Sequence, residues 1–81
     1  MRVNSFYKKT MTVNERIAEL RKTHSLTQKQ LAESISASER GIQNYELGLR
    51  KPTLEIAVAL ADFFDVSLDY LVGRSDNPKR L

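Results

Sequence analysis

LTQKQLAESISASERGIQNYELG, residues 26–48, decides the fold. Thr27 stands three residues before Gln30, the spacing of a capping box: the threonine hydroxyl accepts from the Gln30 amide, and the Gln30 side chain returns to the Thr27 amide. Leu26, just before the cap, is placed for an apolar staple to Leu31. Leu31, Ala32 and Ile35 give this short helix one buried stripe and end it near Ile35. Ser36-Ala37-Ser38 is small and polar enough for a tight turn, and Ser38 caps a further helix carrying Ile42 and Tyr45. Gly48 marks its left-handed end.

Outward from this core, Val13, Ile17 and Leu20, with Ala18 beside them, recur at helical spacing, and Thr12 or Asn14 caps a helix over about residues 13–23. On the other side, Leu49-Arg50-Lys51-Pro52 leads to Thr53, the cap of a fourth helix. Leu54, Ala57, Leu60, Ala61 and Phe64 form its inward stripe, widened by Ile56 and Phe63. Ser67 caps a last short helix holding Leu68, Leu71 and Val72, stopped by Gly73. No strand-like alternation and no internal repeat interrupts the pattern. The expectation is an all-α fold, five short helices forming one domain over residues 12–73. It is preceded by an extension, residues 1–11, in which Val3, Phe6 and Tyr7 either dock as a turn or stay loose. It is followed by a polar tail, residues 74–81, with Asn77-Pro78 and no periodicity.

Eighty-one residues bury only a modest core, so packing must be efficient or a partner must add to it. The sequence has no cysteine and one histidine, which excludes disulfide staples, thiol chemistry and a histidine-rich metal centre. MRVNSFYKKT lacks the apolar run of a signal peptide, and no later run reaches membrane-spanning length, so the expected location is the cytoplasm with no membrane partner. Net charge is +3, but it is unevenly spread. Residues 1–26 carry Arg2, Lys8, Lys9, Arg16, Arg21 and Lys22 against Glu15 and Glu19. Residues 52–72 carry Glu55, Asp62, Asp65 and Asp69 with no base. An anionic ligand is expected near the first group and away from the second.

Two short helices joined by a turn of a few residues have the geometry of a helix-turn-helix. Leu31, Ile35, Ile42 and Tyr45 would lock the pair, leaving Glu39, Arg40, Gln43 and Asn44 outward near the start of the second helix. Such side chains can read base edges: arginine donates twice to guanine, glutamine and asparagine pair with adenine, and glutamate accepts from cytosine. On their own, four polar residues on a surface helix are more ordinarily explained as a solvated face.

Resemblance over a longer stretch decides between these readings. Residues 17–78 resemble the Cro/repressor-type (XRE-like) helix-turn-helix regulators of phages and bacteria. The resemblance rests on LTQKQLA (residues 26–32), the set Ile42, Tyr45, Glu46 and Gly48, RKPTLE (residues 50–55) and LADFFDVSLDYLVG (residues 60–73), in that order and spacing. It implies a compact five-helix, lambda-repressor-like domain that binds double-stranded DNA and regulates transcription, most often as a repressor, frequently as a homodimer on partly palindromic operators. It puts Ser38, Glu39, Arg40, Gln43 and Asn44 at base-reading positions. It puts Gln28 against a phosphate, where such a glutamine can also brace a reading side chain, and Arg50 and Lys51 in a backbone-contact region helped by amides around residues 48–51. It pairs Glu46 with a base on the first helix, for which Arg16 is the candidate. No cofactor is implied.

The sequence departs from the family pattern at two places. Ser36 stands where glycine is usual, at a cost of about 1 kcal/mol if the left-handed backbone is kept. Gly41 lies within the reading helix and should weaken it by roughly 0.5–1 kcal/mol relative to alanine.

Phe63, Val66, Leu68, Tyr70 and Val72 offer more apolar surface than a small core needs, and part of this set is the expected dimer interface. His24 reads as a helix-terminal surface residue. Asp62, Asp65 and Asp69 match no calcium loop, and Asp65 and Asp69 read as carboxylates around a helix start. Ser34, Ser36 and Ser38 have no histidine or acid placed for a nucleophile, so no enzymatic activity is expected. The rival function is a protein-interaction module of the same fold, antitoxin-like or bound by an anti-repressor, with DNA binding secondary or lost. No ligand-binding segment is present in these residues, so a signal is expected to act through a protein effector, proteolysis or protein concentration.

Overall fold

The structure is a computed structural model and describes residues 11–80; whether Val3, Phe6 and Tyr7 dock as a turn or stay loose concerns residues outside those described. Five helices follow in order: α1 (Val13–Thr23), α2 (Gln28–Ser34), α3 (Glu39–Glu46), α4 (Leu54–Phe64) and α5 (Leu68–Leu71). No strand occurs among the described residues.

Each helix starts on a serine or threonine in extended conformation whose hydroxyl accepts from the amide three residues on. These caps are Thr12, Thr27, Ser38, Thr53 and Ser67. Thr12 and Thr27 complete capping boxes, with Glu15 and Gln30 accepting from the cap amides at 3.0 and 2.9 Å. The choice left open for α1 thus falls on Thr12, and Asn14 is buried instead.

The helix ends share one geometry as well. After each helix a residue with positive φ turns the chain: Ser25 (58°), Ser36 (57°), Gly48 (78°), Asp65 (56°) and Gly73 (84°). At every one, two amides close back in the paired pattern of a Schellman motif. Leu26 donates to Arg21 and Ser25 to Lys22; Ala37 to Ala32 and Ser36 to Glu33; Leu49 to Asn44 and Gly48 to Tyr45. Val66 donates to Ala61 and Asp65 to Asp62, and Arg74 to Asp69 and Gly73 to Tyr70. Glycine is the usual residue here because it has no Cβ to clash, yet three of these five sites carry a side chain. Asp65, expected near a helix start, is therefore the left-handed C-cap of α4. A carboxylate there faces the negative end of the helix dipole.

The tail offsets that placement. Arg80 Nη1 donates to the Ala61 carbonyl at 2.9 Å, in the last turn of α4, while Nη2 pairs with Asp62 at 2.7 Å and Nε lies 3.9 Å from Asp65. Ser67 N–H donates to the Pro78 carbonyl at 2.9 Å. Although it has no periodicity, the tail is thus bonded along the end of α4. It supplies the bases that the acidic stretch lacks.

Ile17, Leu31, Ile42, Leu60 and Leu71, one from each helix, are fully buried at the centre. Leu20, Ala32, Ala57, Ala61, Phe64 and Val66 complete the core, with Leu26, Ile35 and Tyr45 packed against it. Val66, expected at a dimer surface, is only 7% exposed. It follows the left-handed residue Asp65, which turns the chain back over the core.

Candidate nucleic-acid interface

α2 and α3 pack closely through Leu31, Ala32 and Ile42, and the turn between them is closed by the Ser36 and Ala37 amides. On the other side of α3, Glu39, Arg40 and Gln43 are exposed and Asn44 is half-buried. Residues 39 and 40 lie one helical turn from 43 and 44, so the four share a face. Ser38 caps α3 by accepting from Gly41 N–H at 3.0 Å. Gly41 is the third residue of the helix, and a Cβ there would stand 3.1 Å from the Ser38 hydroxyl. A side chain at this position would therefore crowd the cap.

Arg50 and Lys51 are both exposed beyond the end of α3. The amides expected to be free around them are largely engaged: Gly48 N–H donates to Tyr45, and those of Leu49 and Arg50 to Asn44, at 3.1, 2.9 and 3.3 Å. The Schellman pair and the Arg50 bond thus occupy three of the four amides of residues 48–51.

Glu46 turns inward. Arg21 Nε and Nη2 donate to its two carboxylate oxygens at 2.6 and 2.9 Å, a bidentate pair with side chains 14% and 9% exposed. Arg21 also donates to the Leu26 carbonyl at 2.9 Å. Burial pushes the Glu46 carboxyl up, but the hydrogen bonds from Arg21 and Gln28 and the charges of Arg21 and Lys22 together hold it below the usual carboxylate range. The Glu46 hydrogen bond raises the Arg21 pKa against the opposing effect of burial.

The partner expected for Glu46 was Arg16, and this is corrected. Positions 16 and 21 lie about 140° apart around a helix, and α1 turns the second toward α3. Arg16 is buried elsewhere, with its guanidinium 3.7 Å from the Tyr70 ring centroid and paired with Glu19 at 3.0 Å. Gln28 is also placed differently. Its Nε2 donates to Glu46 at 3.0 Å rather than pointing out toward a phosphate. With Glu46 neutralised by Arg21, the exposed charges of residues 27–51 are Lys29, Arg40, Arg50 and Lys51 against Glu33 and Glu39.

The sequence reading missed Asn14, considering it only as a cap. It is 8% exposed, and its Nδ2 donates to the carbonyls of Tyr45 at 2.7 Å and Arg50 at 2.8 Å. Its place beside Ile17 on the inward side of α1 was the available signal.

The residues set aside have structural partners. His24 Nδ1 lies 2.9 Å from the Leu20 carbonyl, and its ring centroid is 4.9 Å from that of Phe64. Asp62 pairs with Arg80, and Asp69 lies 3.7 Å from Arg74. No group of three or more potential metal ligands forms among the described residues. None of the described helices is long and apolar enough to cross a membrane.

Comparison with known proteins gives this geometry a family. The helix-turn-helix family model matches residues 17–71. The HTH-type transcriptional regulator YobD of Bacillus subtilis is 44% identical over 64 residues, covering 79% of this chain and 57% of its own. The cryptic phage CTXphi transcriptional repressor RstR of Vibrio cholerae is 41% identical over 64 residues, again 79% and 57%. The chain thus spans little more than half the length of these relatives. In three dimensions it superposes on the P22 c2 repressor, solved in complex with a synthetic operator, with a TM-score of 0.75 and 29% identity, over 82% of this chain and all of that one. By the family match and by the fold, this chain belongs to the helix-turn-helix family.

Proposed function

We propose that this chain binds double-stranded DNA by placing α3 in the major groove and represses transcription as a two-fold pair on a partly palindromic operator. The observation that carries this reading is the outward face of α3. Arg40, Gln43 and Glu39 stand exposed there beside Arg50 and Lys51, while Glu46 is withdrawn into a neutral pair behind them. Arg40, Gln43, Asn44 and Glu39 read base edges, Ser38 sets the start of the helix beside them, and Arg50 and Lys51 hold phosphates. The superposition on a repressor solved with its operator and the repressor among the relatives support the assignment.

One short reading helix specifies few base pairs, so two copies would read half-sites about 34 Å apart. Phe63 and Leu68, 41% and 37% exposed, offer apolar surface for that pairing, with Tyr70 and Val72 half-buried. Selection of bound duplexes from a random pool tests both levels. Enrichment of inverted half-sites supports the pair, a single half-site removes the pair, and no enrichment over random sequence overturns DNA reading.

One observation favours a protein partner instead. Leu47 and Leu49, directly after α3, and Leu54, the first residue of α4, are 71%, 70% and 71% exposed. A protein covering them would compete with DNA for the same side of the domain, and competition binding would show it.

A further inference from the structure

We propose that Asn14 is a positioning residue that fixes the phosphate-holding loop, residues 47–51, against the end of α3; the inference rests on the DNA-binding reading. One buried amide nitrogen supplies both bonds. It donates to Tyr45 in the last turn of the helix and to Arg50 just before Lys51. Between those two carbonyls the chain reverses at Gly48, with φ of 78°, so the segment has no side chain of its own at the pivot.

α1 acts as a splint for this end of α3. Asn14 and Arg21 are seven residues apart, within about 20° of the same helical face. The first holds Tyr45 and Arg50, and the second holds Glu46. The Arg21 pair anchors the helix itself but makes no bond to the loop. Asn14 is the contact that carries the anchorage across the turn to the cations. Without it, the hydrogen bonds that hold Arg50, and Lys51 after it, to the end of α3 are the local ones from the Leu49 and Arg50 amides to Asn44. Their orientation toward a phosphate then costs entropy on every binding event.

The test uses the full chain with a selected and a random duplex, under conditions where each variant is folded by circular dichroism. Asn14→Ala should weaken binding to both duplexes about tenfold, the scale expected for losing its two part-buried hydrogen bonds. Base preference should be unchanged, and the slope of log affinity against log salt should be shallower by about one phosphate contact. In an Arg50→Ala/Lys51→Ala background the Asn14→Ala loss should largely vanish, because the loop it positions no longer carries charge. Equal losses in both backgrounds would mean that Asn14 serves the fold alone, and would overturn the proposal. Should Asn14→Ala fail to fold, Asn14→Ser, which keeps one hydroxyl donor, carries the same cycle. Amide exchange in the free protein separates this proposal from the reading beneath it. If the parent protein binds no duplex, the DNA reading fails. Faster exchange at Leu49 and Arg50 in Asn14→Ala, with α4 unchanged, then still supports the clamp, and unchanged exchange removes it.

Discussion

Of the eight residues of α3 only Ile42 is buried, whereas α4 buries Ala57, Leu60, Ala61 and Phe64 among its eleven. α4 is held by apolar area along its length. α3 is held by polar contacts at its two ends: Ser38 at the start, and Asn14, Arg21 and Gln28 around the finish. A helix that must leave one face open for a ligand has less apolar stripe to bury, and one buried isoleucine does not fix its rotation. Directional bonds from α1 and α2 do so without covering the outward face. The difference separates where stability resides from where orientation resides.

Truncating the two helices should therefore fail in different ways. Leu60→Ala empties a site at the centre of the core and should cost about 3–4 kcal/mol, most of the stability of so small a domain. Urea unfolding would show this as a lower midpoint, and DNA binding should fall only as the folded fraction falls. A loss of binding in fully folded Leu60→Ala protein would break the division between the two helices.

Glu46→Ala leaves Arg21 without its partner and should cost about 3 kcal/mol, the low end for one side of a buried pair. The pair also makes stability depend on pH. The folded pKa of Glu46 is depressed, so its contribution is present above the unfolded value and is lost as pH falls through the folded one. Glu46→Gln should flatten that part of the acid denaturation curve. An unaltered acid limb would place the sensitivity on another carboxyl.

The outward face gives the next effect. Arg40→Ala should relax preference at one base pair by about 1–3 kcal/mol, while Lys51→Ala should weaken selected and random duplexes alike. Binding measured on a panel of single-base variants distinguishes the two. The reverse pattern would exchange the reading and holding roles.

How much of this was legible in the sequence follows from which groups carry a local signal. Four of the five helix starts were, and the fifth was narrowed to Thr12 or Asn14, because a Ser or Thr hydroxyl caps an amide three residues away and needs no tertiary context. The core stripes were legible from periodicity. Leu54 and Phe63 are the exceptions: expected to line or widen the inward stripe of α4, they are 71% and 41% exposed, Leu54 because it is the first residue of the helix, beyond the reach of the core. The outward face of α3, proposed above to read bases, followed from the helix-turn-helix spacing together with the family resemblance. What was hidden lies between segments distant in the chain. The true partner of Glu46 depends on which side of α1 meets α3, and five residues of helix separate the right arginine from the wrong one. Asn14 reaches carbonyls 31 and 36 residues away, and no local pattern announces a side chain bonded to backbone. The Arg80 contacts with α4 were invisible because the tail has no repeating stripe.

The helix ends show the same boundary at finer scale, and they supply the smallest predicted effect. Gly48 and Gly73 announce their left-handed turns, while Ser25, Ser36 and Asp65 adopt the same backbone without announcing it. Ser36 is the informative one, because it sets the turn between α2 and α3 and its φ of 57° is strained for a residue with a Cβ. Ser36→Gly removes a left-handed cost of about 1–2 kcal/mol. Against this, glycine gives the unfolded chain more freedom, worth about 0.4–1 kcal/mol. The net expectation is a gain of about 0.5–1 kcal/mol, read as a higher urea midpoint at constant slope. The Ser36 and Ala37 amides that close the turn keep their acceptors on Glu33 and Ala32, so α3 should hold its orientation and base preference should be unchanged. A stabilised protein with altered base preference would show that the strained turn helps aim α3, shifting part of the orientation from the polar contacts at its ends to the backbone between the helices.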